Sequence, residues 1–142
     1  MTTVGLWGRE DKSGNGEYSA PMSYHLTLEQ HPSYLHAIVT GTRTARNVAR
    51  FLQEVHQACG SRGLAAALVE IRLSGPSLDP GSIYRVVTER SDDARDLRRI
   101  AYVVTTETDP EKPKFAETVA VNRGVNVRLF RGVEEAKRWI LE

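Results

Sequence analysis

Three hydroxyls, Ser74, Ser77 and Ser82, gather around one carboxylate, Asp79, in the stretch LVEIRLSGPSLDPGSIYRVV (Leu68–Val87). An apolar run ends there in serines, glycine and prolines, and a helical pattern begins at Ile83. A strand that feeds a helix through a short loop is a place where α/β proteins often keep their chemistry. These residue types suit three uses: a phosphate cradle at a helix N-terminus, a phosphorylatable switch, or a turn that caps the helix. Neither G-x-x-x-x-G-K-[ST] nor G-x-G-x-x-G occurs, which disfavours a nucleotide cradle. Asp79 is a good N-cap and Pro80 an ideal first helical residue, so the cap is the favoured reading. The carboxylate would bond the orphan N–H groups that a phosphate needs. A switch at Ser82, Ser77 or Ser74 is the runner-up.

Four histidines, His25, His31, His36 and His56, raise the question of metal. His25 and His36 fall on neighbouring strands, while His56 and Cys59 stand three apart on a helix. Zinc sites usually show tighter clusters, so no metal ligand is assigned. Ser82, His36 and Asp79 supply the residue types of a hydrolytic trio, but no G-x-S-x-G elbow aims the serine. No catalytic residue and no cofactor are assigned. Arg95, Arg98 and Arg99 alternate with Asp92, Asp93 and Asp96, the pattern of a solvated, mutually paired face rather than a nucleic-acid patch. Lys112, Lys114 and Arg123 are read the same way.

The elements that must position these groups follow from periodicity. YHLTLE (Tyr24–Glu29) alternates, as does a strand wet on one face, and HPS (His31–Ser33) turns it into YLHAIVTG (Tyr34–Gly41). A connection so short makes this pair antiparallel. Thr44 caps a helix whose stripe is Val48, Phe51, Leu52, Val55 and Cys59, with Gly60 or Gly63 as its stop. LAAALVEI (Leu64–Ile71) and IAYVVTT (Ile100–Thr106) are apolar enough for strands covered on both faces. Between them, Ile83, Tyr84, Val86 and Val87 mark a second helix. A third carries Phe115, Ala116, Val119 and Ala120 on one face, VNVRLF (Val125–Phe130) alternates, and Val133, Ala136, Trp139 and Ile140 line a last helix. Phe115 and Trp139 sit at core spacing.

The expected fold is therefore α/β, a mixed five-stranded sheet in the order ββαβαβαβα, with an antiparallel first hairpin, then parallel strands, and four helices. Its three crossovers are right-handed. Strands lie in sequence order, with the first and last as edges, where Glu29 and Arg128 discourage pairing. Residues 1–22, rich in glycine, serine and charge, read as a flexible lead, and Met22 as an alternative start. Residues 23–142 form the domain. A chain of 142 residues with net charge +1 has room for one core and no global field to recruit nucleic acid or an anionic membrane. The single cysteine, Cys59, excludes an internal disulfide and fits a reducing cytoplasm. No apolar run approaches the roughly 20 residues of a membrane span.

On YLHAIVTGTRTARNVARFLQEVHQAC, IRLSGPSLDP, RRIAYVVTTETDPEKPKFAETVAVNRGVNVRLF and EEAKRWI, the chain resembles the STAS domain superfamily, and within it the small SpoIIAA-like proteins of STAS/SEC14 type. The resemblance covers nearly everything from Tyr24 onward and carries no catalytic motif. It implies a small cytosolic module that binds proteins or, in the related lipid carriers, apolar ligands. In the phosphorylated antagonists a strand ends in Asp, and a Ser-Gly loop leads to Asp-Ser-Ser-Gly, whose first serine is modified. Here Glu70 stands for the strand-end Asp and Ser74-Gly75 for the loop. Asp79-Pro80-Gly81-Ser82 then puts Pro80 in the acceptor's place.

The reading that results is a non-enzymatic, cytoplasmic STAS-like module that binds another protein through Ser74, Ser77, Asp79 and Ser82. Two alternatives stay open: a binder of a lipid or other apolar small molecule between the second and third helices, and a small hydrolase using a loop serine. Homodimerisation through an edge or a helix face is also open.

Overall fold

The computed structural model describes residues 23–105 and 109–142 and the backbone of residues 2–4. Six strands form one sheet in sequence order: β1 (Thr2–Val4), β2 (Tyr24–Gln30), β3 (Leu35–Thr42), β4 (Ala66–Ser74), β5 (Arg99–Val104) and β6 (Val127–Phe130). Four helices join or follow them: α1 (Ala45–Arg62), α2 (Pro80–Ala94), α3 (Glu111–Asn122) and α4 (Val133–Leu141). β1–β2 and β2–β3 are antiparallel, and β3 to β6 are parallel.

From Tyr24 onward the five strands and four helices stand in the expected order. The sheet carries one strand more, because Thr2–Val4, expected in a flexible lead, pairs with Leu26–Leu28. β2 is therefore not the edge at those residues, whereas β6 is the edge at the far side. Residues 5–22, the rest of that lead, and Met22 lie outside the described residues.

Each local start and stop has a visible cause. The Thr44 hydroxyl accepts the Asn47 amide at 3.0 Å, and Gly63, at φ 67°, closes α1 in the left-handed conformation. Asp79 begins α2 with Pro80 behind it. Three right-handed crossovers stepping one way along the sheet lay α1, α2 and α3 on the same face. There they bury Leu26, Leu35, Val39, Phe51, Val55, Val69, Leu73 and Ile100. α4 follows β6 and returns over β5 and β4 on the opposite face, where Ala136, Trp139 and Ile140 meet Tyr34, Leu68, Ala101 and Val103. The double cover explains why Ala66 to Glu70 are buried without a break. Trp139 is held between the guanidinium groups of Arg99 and Arg128, each 5.2 Å from its ring.

Two helix readings need correction. Tyr84, at 53 % exposure, points away from the core that Ile83 and Val86 enter, and Phe115 is exposed while Val119 and Ala120 are buried. Both residues stand one position off the stripe that the sheet selects, which an apolar side chain tolerates on a surface. No helix among the described residues is long and apolar enough to cross a membrane.

Candidate functional site

The β4–α2 connection lies at the carboxyl ends of the parallel strands. Strand β4 runs three residues beyond its expected end, so Ser74 closes the strand rather than opening the loop. Its hydroxyl donates to the Gly41 carbonyl at 3.2 Å, and its own carbonyl accepts the Arg43 amide at 2.8 Å. The Arg43 side chain, buried, donates to the carbonyls of Leu73 (2.9 Å) and Gly75. Gly75 takes φ 104°, a conformation that side chains other than glycine's resist. Asp79 accepts the Ser82 amide at 3.0 Å and the Ser82 hydroxyl at 2.7 Å, and these two bonds hold its carboxyl below the usual range. Ser74 and Asp79 are exposed, and Ser77 and Ser82 half-buried. The four sequence-selected residues thus share one surface, with Asp79 and Ser82 bonded to each other and Asp79 serving as the cap.

Two other expectations about these residues fail. Glu70 is not at the strand end. It lies mid-strand, buried, on the α4 face, where it accepts a hydrogen bond from His36 Nε2 at 2.9 Å and pairs with Arg72. Nor does His36 approach Ser82: it shares the α4 face with Glu70, near the start of β3, while Ser82 opens α2 on the other face. The hydrolytic trio is not assembled.

His25 and His36, on neighbouring strands, do not sit opposite each other. His25 sits opposite Thr40, and His36 sits opposite Glu29. His31 Nε2 donates to Glu29 Oε1 at 2.7 Å, and its ring stacks on Tyr34 at 4.5 Å. Glu29, His31 and His36 each place one potential ligand atom within 4.8 Å of the others. The hydrogen bond from His31 holds the Glu29 carboxyl below its ordinary value. The same contacts tie together the end of the β2–β3 hairpin. Sequence reasoning missed this cluster, although the hairpin register, counted back from the HPS turn, sets Glu29 against His36.

Beneath the loop, α1, α2 and α3 line a cavity of about 140 Å³ against the sheet, open on one side to solvent. Apolar side chains dominate its wall, among them Phe51, Ile71, Leu78, Ile83, Val86 and Ala120. This is the space between the second and third helices that the sequence left open. Its polar wall groups include His56, Arg90, Ser91 and Tyr102. His56 is 9 % exposed, and its Nδ1 and the Arg90 Nε are buried without a hydrogen-bond partner. Burial pushes the His56 imidazole down to about 4, with the neighbouring Arg90 charge adding to the effect against the pull of Asp93. Desolvation raises the Tyr102 hydroxyl. Cys59 is buried on α1, and burial pushes its thiol up to about 11, so it is a packing residue rather than a nucleophile.

The mixed charge run behaves as a paired surface: Arg95 meets Asp92, and Arg90 approaches Asp93 at 3.9 Å. Arg98 and Arg99 have a further use, donating to the Ile140 and Trp139 carbonyls at the end of α4.

No protein-family model and no curated protein sequence matches the chain. Solved structures do. The crystal structure of an anti-sigma factor antagonist from Mycobacterium paratuberculosis superposes with a TM-score of 0.57 over 87% of this chain and 98% of that one, at 12% identity. An uncharacterized protein of the DUF3478 family from Shewanella loihica PV-4, with a SpoIIAA-like fold, gives 0.53 over 83% and 94%, at 14% identity. On these likenesses the chain adopts a SpoIIAA-like fold.

Proposed function

We propose that this chain is a non-enzymatic regulatory module that recognises another protein through the β4–α2 connection and the first turns of α2. The observation that carries the reading is a surface that is exposed yet already fixed. Arg43 ties the backbone of Leu73 and Gly75, Asp79 ties Ser82, and Tyr84 projects beside them at 53 % exposure. A loop held before docking loses less conformational entropy on binding, and an exposed tyrosine is a frequent anchor of protein interfaces. One neighbour of the same fold is an anti-sigma factor antagonist, a description in keeping with protein recognition.

Recognition proceeds without phosphorylation of the cap. Pro80 occupies the acceptor position, and the Asp79 carboxylate already takes the Ser82 amide that a phosphate would need. A phosphate on Ser82 would meet that carboxylate and repel it.

The test compares the wild-type chain with a Ser77→Arg/Tyr84→Glu double variant as baits in affinity capture, with intact-mass analysis of the native protein alongside. A partner held by the wild type and lost by the variant supports the reading. A partner held equally by both, or a stoichiometric phosphate on the loop, refutes it.

A further inference from the structure

The cavity beneath α1, α2 and α3 carries an inference that stands apart from the protein-recognition reading. A site of about 140 Å³ matches the scale of an apolar cavity that accepts a single benzene ring, near 150 Å³. A purely apolar occupant would leave two polar atoms stranded. His56 Nδ1 and Arg90 Nε belong to residues of the cavity wall and are buried with no partner, a condition that disfavours leaving them against an apolar occupant.

The charge of the wall is one-sided. Arg43, Arg90 and Lys112 line it, and no aspartate or glutamate does among the described residues. Arg43 donates to backbone carbonyls, and Arg90 has only a loose approach to Asp93 at 3.9 Å. With its side chain 21% exposed, Arg90 spans from the wall toward solvent, so an ionised group bound there keeps part of its hydration. His56, neutral at pH 7, contributes a hydrogen bond and no charge.

We infer that this cavity binds a small apolar acid, a body of about six carbons ending in one carboxylate, with Arg90 receiving the carboxylate and His56 adding a hydrogen bond. The body packs against Ile83, Val86 and Ala120. Because Leu73 and Leu78 also line the cavity, an occupant touches the underside of the β4–α2 connection.

The probes are benzoate and hexanoate, with benzyl alcohol and 1-hexanol as neutral counterparts, titrated at pH 7 into the isotope-labelled chain and followed by amide chemical shifts. The expected result is saturable shifts centred on Ile83, Val86 and Ala120, with each acid bound at least about tenfold more tightly than its alcohol. Arg90→Met is expected to bring the acid down to the level of the alcohol. Ala116→Leu, at a half-buried wall position, is expected to abolish binding of all four probes while the fold is retained, so the test survives if Arg90→Met does not fold. Equal affinity for acid and alcohol, shifts mapping elsewhere, or no saturable binding overturns the inference. Partner capture is read on the chain without added probe and through Ser77 and Tyr84, neither of which lines the cavity, so the two readings fail separately.

Discussion

Lowering the pH from 7 to 5 is expected to weaken the fold through His56 in particular. Its imidazole is 9 % exposed, its Nδ1 has no partner, and burial holds it at about 4 against an ordinary 6.5. Above pH 6.5 the ring is neutral in both folded and unfolded chains, and its full contribution is present. Between 6.5 and about 4 the unfolded chain takes up a proton that the folded chain refuses, so stability falls with pH across that window. At about 1.36 kcal/mol per unit of pH, the whole loss amounts to about 3 kcal/mol, of which about 2 kcal/mol has gone by pH 5. That is a large part of the stability expected of a domain this size. The assay is urea denaturation of the wild type and of His56→Leu at pH 7, 6 and 5, read by the fluorescence of buried Trp139. His56→Leu should lose about 2 kcal/mol less than the wild type between pH 7 and 5. Glu29 and Asp79, held below their ordinary values, are common to both proteins, so their contributions cancel in the comparison. Parallel stability curves for the two proteins would refute the reasoning, because they would mean that His56 accepts a proton in place, hydrated inside the cavity.

Two shorter predictions follow. Asp79→Ala should cost about 1 kcal/mol in chemical denaturation by removing the cap bonds to Ser82, and Asp79→Asn should cost almost nothing, since asparagine caps equally well; equal losses in the two variants would mean that charge, not capping, is what matters. Gly41→Ala should lower the melting temperature severely: φ is 122° there, and a Cβ would stand 2.6 Å from the Ser23 carbonyl oxygen and the Tyr24 Cα, so normal folding of the variant would contradict the tight β2–β3 approach.

Much of this protein was legible in its residues because the deciding physics is local. Alternation marked the wet face of β2, unbroken apolar runs marked the doubly covered β4 and β5, and Thr44 and Asp79 announced their helix starts before any contact was known, while the end of α1 was narrowed to Gly60 or Gly63. Short connections and right-handed crossovers then left few ways to order the strands. Ser74, Ser77, Asp79 and Ser82 could be grouped for the same reason: all lie within nine residues of one another.

Tertiary structure decided whatever depended on partners distant in the chain. Glu70 reads as a loop-proximal acid until sheet register places it beside His36, 34 residues away, on the face opposite the loop. Tyr84 and Phe115 carry core-like side chains, and only the docking angle of α2 and α3 turned them outward. Thr2–Val4 has no amphipathic signal of its own; it becomes a strand because β2 offers it an unpaired edge. The cavity is the clearest case. Filled cores and hollow ones use the same residue types, so the gap lined by Phe51, Ile83, Val86 and Ala120 exists only in how three helices rest on the sheet.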